Sequence, residues 1–218
     1  MNRDGIADPS SPDAPEAPSR GEAHVWRVDL PAGDGRAAAR RALHRILGAY
    51  LGVEPEAVEL TAGERGKPEL AAVPPPISFN LSHSGGLALV AVAAGGTGVG
   101  IDVERLRPRR DLVRLAARWL PARDAEAVTA APEAEREAVF YAAWTHFEAR
   151  AKCTGAGLSG PRPGPEIVAR RLEIDPGYVA AVAIDTAATD AVSGGAFAAA
   201  PADPGVGPPF VRRFEFAE

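Results

Sequence analysis

The sequence contains a single cysteine, Cys153, among its 218 residues. One cysteine excludes an internal disulfide framework and any zinc site built from several cysteines. The four histidines are spread singly along the chain, which disfavours a metal cage of histidine and cysteine. No apolar run approaches the roughly 18–20 residues that a membrane-spanning helix requires. We therefore expect neither a disulfide-rich domain, nor a zinc protein, nor a membrane partner.

The N-terminus also lacks the apolar core of a secretion signal, so we expect a cytoplasmic protein. Residues 1–20 show no apolar periodicity and are rich in proline, aspartate and serine, which predicts a disordered tail. The net charge of −5 disfavours a general nucleic-acid binder, and we expect no nucleic acid as a partner.

What the chain does have is the composition of a soluble globular protein, with 46% hydrophobic and 24% charged residues. A helix is predicted over residues 34–51, and a helix-rich region over 112–152. Alternating or apolar runs predict strands at 25–28, 77–82, 87–93, 99–103, 167–174, 178–184 and 211–216. Helices paired with a few strands indicate an α+β fold, which we divide into halves at 21–105 and 106–218.

Two carboxylates follow one another on a predicted strand. Val99, Ile101 and Val103 alternate with Gly100, Asp102 and Glu104. Because side chains alternate along a strand, Asp102 and Glu104 share one face, and like charges there need a cation, a proton or solvent. For an isolated Asp-x-Glu pair, an exposed face with salt bridges to the following arginines is the commoner arrangement.

A second charged pair lies on a predicted helix, where Glu148 and Lys152 are one turn apart. Alone, such a pair is an ordinary helix-stabilising ion pair worth a few tenths of a kcal/mol. Combined with Asp102 and Glu104, it offers oxygen ligands for Mg²⁺ and a lysine for a transferring phosphoryl group. The conjunction predicts a site for a divalent cation and a phosphate ester.

Other side chains offer donors for phosphates. His83 lies at the end of a predicted strand with a hydroxyl on each side, although a lone histidine there is more often a turn residue bonded to backbone. Arg36, Arg65 and Lys67 add further cations. There is no Gly-x-Ser-x-Gly elbow, so serine-hydrolase chemistry finds little support.

Six arginines follow the acidic strand. A solvated basic face is the default interpretation of such a run. The alternative is a docking surface for an acidic protein partner. The six are Arg105, Arg107, Arg109, Arg110, Arg114 and Arg118.

Four motifs occur in a fixed order. They are Gly-Lys-Pro at 66–68, Phe-Asn-Leu-Ser-His-Ser-Gly at 79–85, Gly-Val-Gly-Ile-Asp-Val-Glu at 98–104, and Trp-Thr-x-x-Glu-Ala-x-x-Lys at 144–152. In order and spacing they resemble the 4′-phosphopantetheinyl transferases of the Sfp type, within the holo-carrier-protein synthase superfamily. Each motif alone is permissive, whereas four in register are specific. The resemblance covers about residues 36–178.

The resemblance implies a fold and a reaction. The fold is two similar α+β subdomains related by a pseudo-twofold, with coenzyme A between them, in a chain that we expect to be monomeric. The reaction transfers the 4′-phosphopantetheine moiety of coenzyme A to a serine of an apo acyl, polyketide or peptidyl carrier protein and releases 3′,5′-ADP.

The resemblance also implies residue roles. Asp102, Glu104 and Glu148 match the residues that hold Mg²⁺ against the coenzyme A pyrophosphate. The residues that match phosphate-binding or nucleotide-binding positions are Arg36, Lys67, Ser82, His83 and Lys152. Glu148 is the candidate general base, with Lys152 as the second candidate catalytic residue.

The chain departs from the family pattern at Phe147, where a lysine usually precedes the helix glutamate. On a helical wheel Phe147 joins the apolar stripe of Phe140 and Trp144, so we expect it to pack into the core. The role of the missing charge falls to Lys152, His146 or a water molecule.

Three other classes remain open. A coenzyme A-binding or carrier-binding protein with a decayed site would bind coenzyme A and release no 3′,5′-ADP. A magnesium-dependent phosphoesterase would hydrolyse pyrophosphates without a carrier. A purely structural domain would leave the ordered motifs unexplained.

Overall fold

A computed structural model describes residues 15–63 and 66–187, and the backbone of 211–215. Most of the predicted tail, Arg65 and the Ala/Gly/Pro-rich stretch near the C-terminus lie outside the described residues. The strands are β1 (Glu22–Asp29), β2 (Leu60–Ala62), β3 (Pro68–Leu70), β4 (Ile77–Ser84), β5 (Leu87–Ala94), β6 (Val99–Arg105), β7 (Ile167–Leu172), β8 (Tyr178–Asp185) and β9 (Val211–Glu215). The helices are α1 (Gly35–Leu51), α2 (Leu112–Trp119), α3 (Ala122–Ala130) and α4 (Glu133–Thr154), with a 3-10 turn at Pro55–Ala57.

The strands form two principal sheets and a small hairpin. The first sheet has the order β4-β5-β1-β9 and the second the order β6-β8-β7, while β2 and β3 pair with each other. Every paired neighbour is antiparallel. The edge strands β4 and β6 therefore belong to different sheets.

The two principal sheets pack face to face, with one helix on each outer side. Leu43 and Ile46 of α1 share a buried cluster with Phe79 of the first sheet. Between the sheets, one cluster joins residues of β1 and β5 to residues of β6 and β8. Ala149 and Cys153 of α4 pack on the far side of the second sheet. The layers are thus helix, sheet, sheet and helix.

The predicted α+β class is confirmed by this arrangement, and the helix expected over 34–51 is present as α1. Gly52 ends α1 with a left-handed φ of 65°, and Gly155 ends α4 with a φ of 68°. Among the described residues, no helix combines the length with the apolar composition that crossing a membrane requires.

The division into halves at residue 105 stays a prediction, as does the pseudo-twofold. Two strands cross that division in their pairing. Strand β6 precedes residue 106 and pairs in the second sheet, whereas β9 follows it and pairs with β1 in the first.

Helix α4 lies unusually close to β6, and Gly100 makes this approach possible. A Cβ atom at Gly100 would lie 2.1 Å from the carbonyl oxygen of Ala149 and 2.4 Å from the backbone nitrogen of Cys153. Since a glycine has no Cβ, the backbones of strand and helix touch directly. The face of β6 that carries the carboxylates is therefore held against α4.

Candidate active site

A row of side-chain hydrogen bonds joins the edge strands β4 and β6, and we call it the β4–β6 seam. Alternate β4 residues accept the backbone N–H groups of alternate β6 residues. The bonds are Ile101 N to Asn80 Oδ1 at 2.9 Å, Val103 N to Ser82 Oγ at 3.3 Å, and Arg105 N to Ser84 Oγ at 3.1 Å. The seam aligns the two strands in parallel, so that the hydroxyls of Ser82 and Ser84 on β4 face the carboxylates of β6.

Asp102 is the most buried charge of the site, at 2% exposure. Its Oδ1 accepts hydrogen bonds from Ser82 Oγ at 2.9 Å and from Lys152 Nζ at 2.6 Å. Its Oδ2 is buried and has no hydrogen-bond partner among the described residues. A buried carboxylate is stable only with a compensating cation, and Lys152 provides it here.

Glu148 lies one turn before Lys152 on α4, with 3.6 Å between its Oε2 and the lysine Nζ. Burial, with the charge of Asp102 as the second cause, raises the pKa of Glu148 to about 7, although Lys152 opposes the shift. Glu148 therefore exchanges a proton near neutral pH, as a general base must.

Glu104 is held by the seam as well. Ser84 Oγ donates to its Oε2 at 3.0 Å. Burial raises the pKa of Glu104, and the charge of Asp102 adds to the rise, whereas the bond from Ser84 lowers it. The charge of Asp102 thus adds to the raised pKa of both Glu104 and Glu148.

These three carboxylates fit a hard divalent cation in their chemistry. They supply oxygen ligands, one of which is the unpartnered Asp102 Oδ2, and a cation would offset both the burial and the mutual repulsion that raise the pKa values of Glu104 and Glu148. Among the described residues, no three histidine, cysteine or acidic side chains already stand in the arrangement of a metal site. The assignment of Asp102, Glu104 and Glu148 as metal ligands stays a prediction.

A cavity of about 410 Å³ opens beside the carboxylates. This volume lies within the usual range for small-molecule sites. Carboxylates line one part of it and arginines another, so it suits a ligand that carries both a metal and phosphates. The lining residues are Glu104, Glu148, Arg107, Arg109, Pro108, Leu115, Phe140, Tyr141 and Trp144.

Lys67 contacts the backbone of the two elements that carry these carboxylates. Its ammonium donates to the backbone carbonyl of Val99 at 3.1 Å and to that of Lys152 at 2.9 Å. Burial lowers the pKa of Lys67. The structure thus brings Lys67 to the backbone that carries the site.

The remaining predicted phosphate contacts lie apart. His83 is exposed on the β4 face opposite to Ser82 and Ser84, and Arg36 is exposed in the first turn of α1. Among the described residues, no hydrogen bond or ion pair joins either side chain to the carboxylates. Their roles in binding coenzyme A stay predictions.

Phe147 packs into the core, as the apolar stripe predicts, and is 8% exposed. Its ring lies 6.5 Å from the ring of Trp144, and the Arg162 guanidinium lies 5.7 Å from its centroid. Of the side chains considered for the missing charge, Lys152 contacts the carboxylates. His146 lies among Arg150 and other groups away from them, and burial lowers its pKa.

The sequence interpretation missed two residues of the seam. Asn80 and Ser84 lie in the Phe-Asn-Leu-Ser-His-Ser-Gly motif at 79–85, but the sequence alone assigns neither of them a function. The available signal was the period-two spacing of Asn80, Ser82 and Ser84, which gives the strand a face of hydrogen-bonding side chains.

Comparison with known proteins finds a match to one family model and several relatives. Residues 98–191 match the family model described as the 4′-phosphopantetheinyl transferase superfamily. The chain is 43% identical over 124 residues to 4′-phosphopantetheinyl transferase HetI of Nostoc sp., which covers 56% of this chain and 52% of that protein.

Two further relatives carry the same name. A 4′-phosphopantetheinyl transferase of Bacillus subtilis is 31% identical over 110 residues, which are 50% of this chain and 47% of the relative. The 4′-phosphopantetheinyl transferase AcpT of Salmonella typhimurium is 39% identical over 98 residues, or 44% and 50%. The chain spans about half the length of the curated relatives it matches.

Proposed function

We propose that the protein transfers the 4′-phosphopantetheine moiety of coenzyme A to a serine of an apo carrier protein, starting from the match of residues 98–191 to the model of the 4′-phosphopantetheinyl transferase superfamily. The other product is 3′,5′-ADP, and the carrier is an acyl, polyketide or peptidyl carrier. The observation that carries the proposal is the cluster of Asp102, Glu148 and Lys152 beside a cavity, all within the matched segment. The expected cytoplasmic location and monomeric state are part of the proposal.

The carboxylates and the lysine divide the work in this proposal. Asp102, Glu104 and Glu148 would hold Mg²⁺, which when bound stabilises negative charge on the pyrophosphate and the leaving 3′,5′-ADP. The Lys152 side chain is 31% exposed, so in this proposal it also reaches a phosphate oxygen while it pairs with Asp102. Ser82 fixes the carboxylate and the ammonium relative to each other because its hydroxyl contacts both.

Glu148 takes the proton of the carrier serine in this proposal. A general base works best when its pKa lies near the operating pH, and burial raises the pKa of Glu148 to about 7 in the absence of a cation, whereas bound Mg²⁺ would favour the unprotonated form that a base requires. The serine oxygen then attacks the β-phosphorus of coenzyme A, and the bond to the 3′,5′-ADP oxygen breaks. Glu148→Gln keeps the shape of the side chain and should reduce kcat by about 10²-fold or more.

The arginines between residues 105 and 118 form the carrier-docking surface in this proposal. All six side chains are exposed. Two are held in place, since Arg109 bonds Asp111 at 3.2 Å and Arg118 lies 5.0 Å over the ring of Trp119. An acidic carrier would be attracted by this charge and would associate faster at low salt.

The test is the intact mass of an apo carrier protein after incubation with this protein, coenzyme A and Mg²⁺. The proposal expects the mass increase of one phosphopantetheine group and an equal amount of 3′,5′-ADP. Asp102→Ala should abolish both, whereas Arg171→Met, on the exposed edge strand β7, should leave both unchanged. Pyrophosphate hydrolysis without a carrier would instead favour a phosphoesterase, and coenzyme A binding without product a decayed site.

The docking surface has a separate test. Charge reversal at Arg110 and Arg114, which are exposed and do not line the cavity, should raise the Michaelis constant for the carrier and leave that for coenzyme A unchanged. An unchanged Michaelis constant for the carrier would show that another surface docks it, without affecting the assignment of the reaction.

A further inference from the structure

We propose that Lys67 is a positioning residue, which fixes the Asp102–Lys152 contact by holding the backbone of β6 and α4, and that it does not bind the phosphates of coenzyme A. The inference rests on the proposed function, since it assigns Lys67 a part in the same reaction. It replaces the phosphate contact that the family resemblance implies for this residue.

The first observation is where the ammonium lies. Lys67 stands at the base of the β2–β3 hairpin, where its own carbonyl accepts from Gly63 N at 2.8 Å. Its Nζ donates to the carbonyls of Val99 and Lys152, which belong to β6 and α4. The hairpin is thereby connected to both elements that carry the acidic site.

The second observation is which carbonyls these are. Val99 is three residues before Asp102 on β6, and the other carbonyl is that of Lys152 itself. The Lys152 side chain reaches Asp102 at 2.6 Å. Lys67 thus holds the backbone on both sides of the ion pair, next to the direct strand–helix contact at Gly100.

The helix end adds a physical reason for this placement. The last carbonyls of a helix have no partner within it and carry partial negative charge, which a cation stabilises. In the helix cap the Lys152 carbonyl accepts a long bond of 3.3 Å from Gly155 N. The Lys67 ammonium supplies the shorter bond and the charge together.

The use of lysine in this chain supports the inference. Of 24 basic residues, 22 are arginine, and the two lysines are Lys67 and Lys152. An ammonium is compact and has three donors, whereas a guanidinium is planar and wider. Two donors of Lys67 are committed to carbonyls, so turning towards a phosphate would leave both carbonyls without this partner.

The first experiment separates binding from turnover with Lys67→Met, which keeps the length of the side chain and removes its donors. Expected are a fall in kcat of tenfold or more, per folded protein, and a Michaelis constant for coenzyme A within twofold of wild type, because small misplacements of reacting groups cost rate. The matched charge-removal control, Arg171→Met, should change neither. A tenfold higher Michaelis constant with unchanged kcat, or no change in either, would overturn the proposal.

The second experiment uses the unaltered protein, because two lysines give two side-chain signals. With ¹³Cε-labelled lysine, the nuclear magnetic resonance signal of Lys152 should move on addition of coenzyme A, and that of Lys67 should stay in place. Lys67→Arg assigns the signals by removing one of them. Movement of the Lys67 signal as large as that of Lys152 would contradict the inference even if Lys67→Met fails to fold.

The third readout needs no activity and therefore separates this inference from the proposed function. Hydrogen exchange of the amides at 99–103 and 152–156 should be faster in Lys67→Met than in wild type and Arg171→Met. If wild type modifies no carrier and binds no coenzyme A, the proposed reaction fails while this measurement still decides the positioning role. Unchanged exchange at both segments would refute it.

Discussion

Removal of the Lys152 ammonium should destabilise the protein through the charge that it leaves behind. Asp102 is 3% exposed in its side chain, and the lysine Nζ lies 2.6 Å from its Oδ1. At that distance the direct attraction is about 6 kcal/mol with an effective dielectric constant of about 20. Desolvation of both groups offsets much of it, so the attraction is not the net contribution to stability.

The net cost of Lys152→Met follows from the uncompensated carboxylate. Removing one partner of a buried pair costs about 3–5 kcal/mol. Lys152 is 31% exposed, so water replaces part of its effect, and we expect the lower end, about 3 kcal/mol. For a chain of this size the thermal midpoint should fall by roughly 6–12 °C.

The assay is urea unfolding in metal-free buffer, followed by the fluorescence of the three tryptophans. The double variant Asp102→Asn/Lys152→Met removes both charges and should recover most of the loss, to within about 1 kcal/mol of wild type. If Lys152→Met costs less than about 0.5 kcal/mol, or if the two single losses simply add, Asp102 is not a buried charge that depends on this lysine.

Three further outcomes follow from the same packing and charges. Gly100→Ala should lower the free energy of unfolding, measured in urea, by about 3 kcal/mol because the new Cβ would overlap the α4 backbone. The control Gly35→Ala should not lower it, since a Cβ there would lie 3.6 Å from the nearest side chain. In metal-free buffer, stability should fall on the order of 3 kcal/mol as pH rises from 4.5 to about 7, because folding raises the pKa of Glu148 and the folded protein loses its extra proton in that window. Glu148→Gln should flatten this slope, and an equal slope in the variant would contradict the assignment. Phe147→Lys, which introduces the residue usual in the family, should lower the thermal midpoint and not raise kcat, because position 147 is 8% exposed and lies under Arg162; a faster enzyme would show that the missing charge matters.

Local patterns were sufficient to predict the elements that carry the site. The period of apolar residues gave α1 and the helical region of α4, and strand alternation put Asp102 and Glu104 on one face. The same reasoning placed Phe147 in the core. These features depend on neighbours in sequence, which is why a single chain reveals them.

Contacts between distant segments could not be derived in this way. Lys67 and Lys152 are 85 residues apart, and nothing in either neighbourhood indicates that an ammonium ends on a helix carbonyl. Ser84 and Glu104 meet only because β4 and β6 become adjacent edges of different sheets. The metal site and the phosphate-binding roles of Arg36 and His83, which the residue types and the family resemblance both suggest, stay predictions.

The alignment of the two sheets at the β4–β6 seam depends on which side chains β4 carries. Main-chain pairing tolerates almost any sequence, but here the acceptors are one amide and two hydroxyls at alternate positions. A chimera that slides β4 by one residue would place Leu81 and His83 opposite amides of β6 that now bond Asn80, Ser82 and Ser84, and a slide by two would pair Asp102 with a different side chain. Segment exchange between relatives should therefore succeed only where Asn80, Ser82 and Ser84 keep their spacing. A shift of one residue would break both the bonds that join the sheets and the bond that orients Asp102.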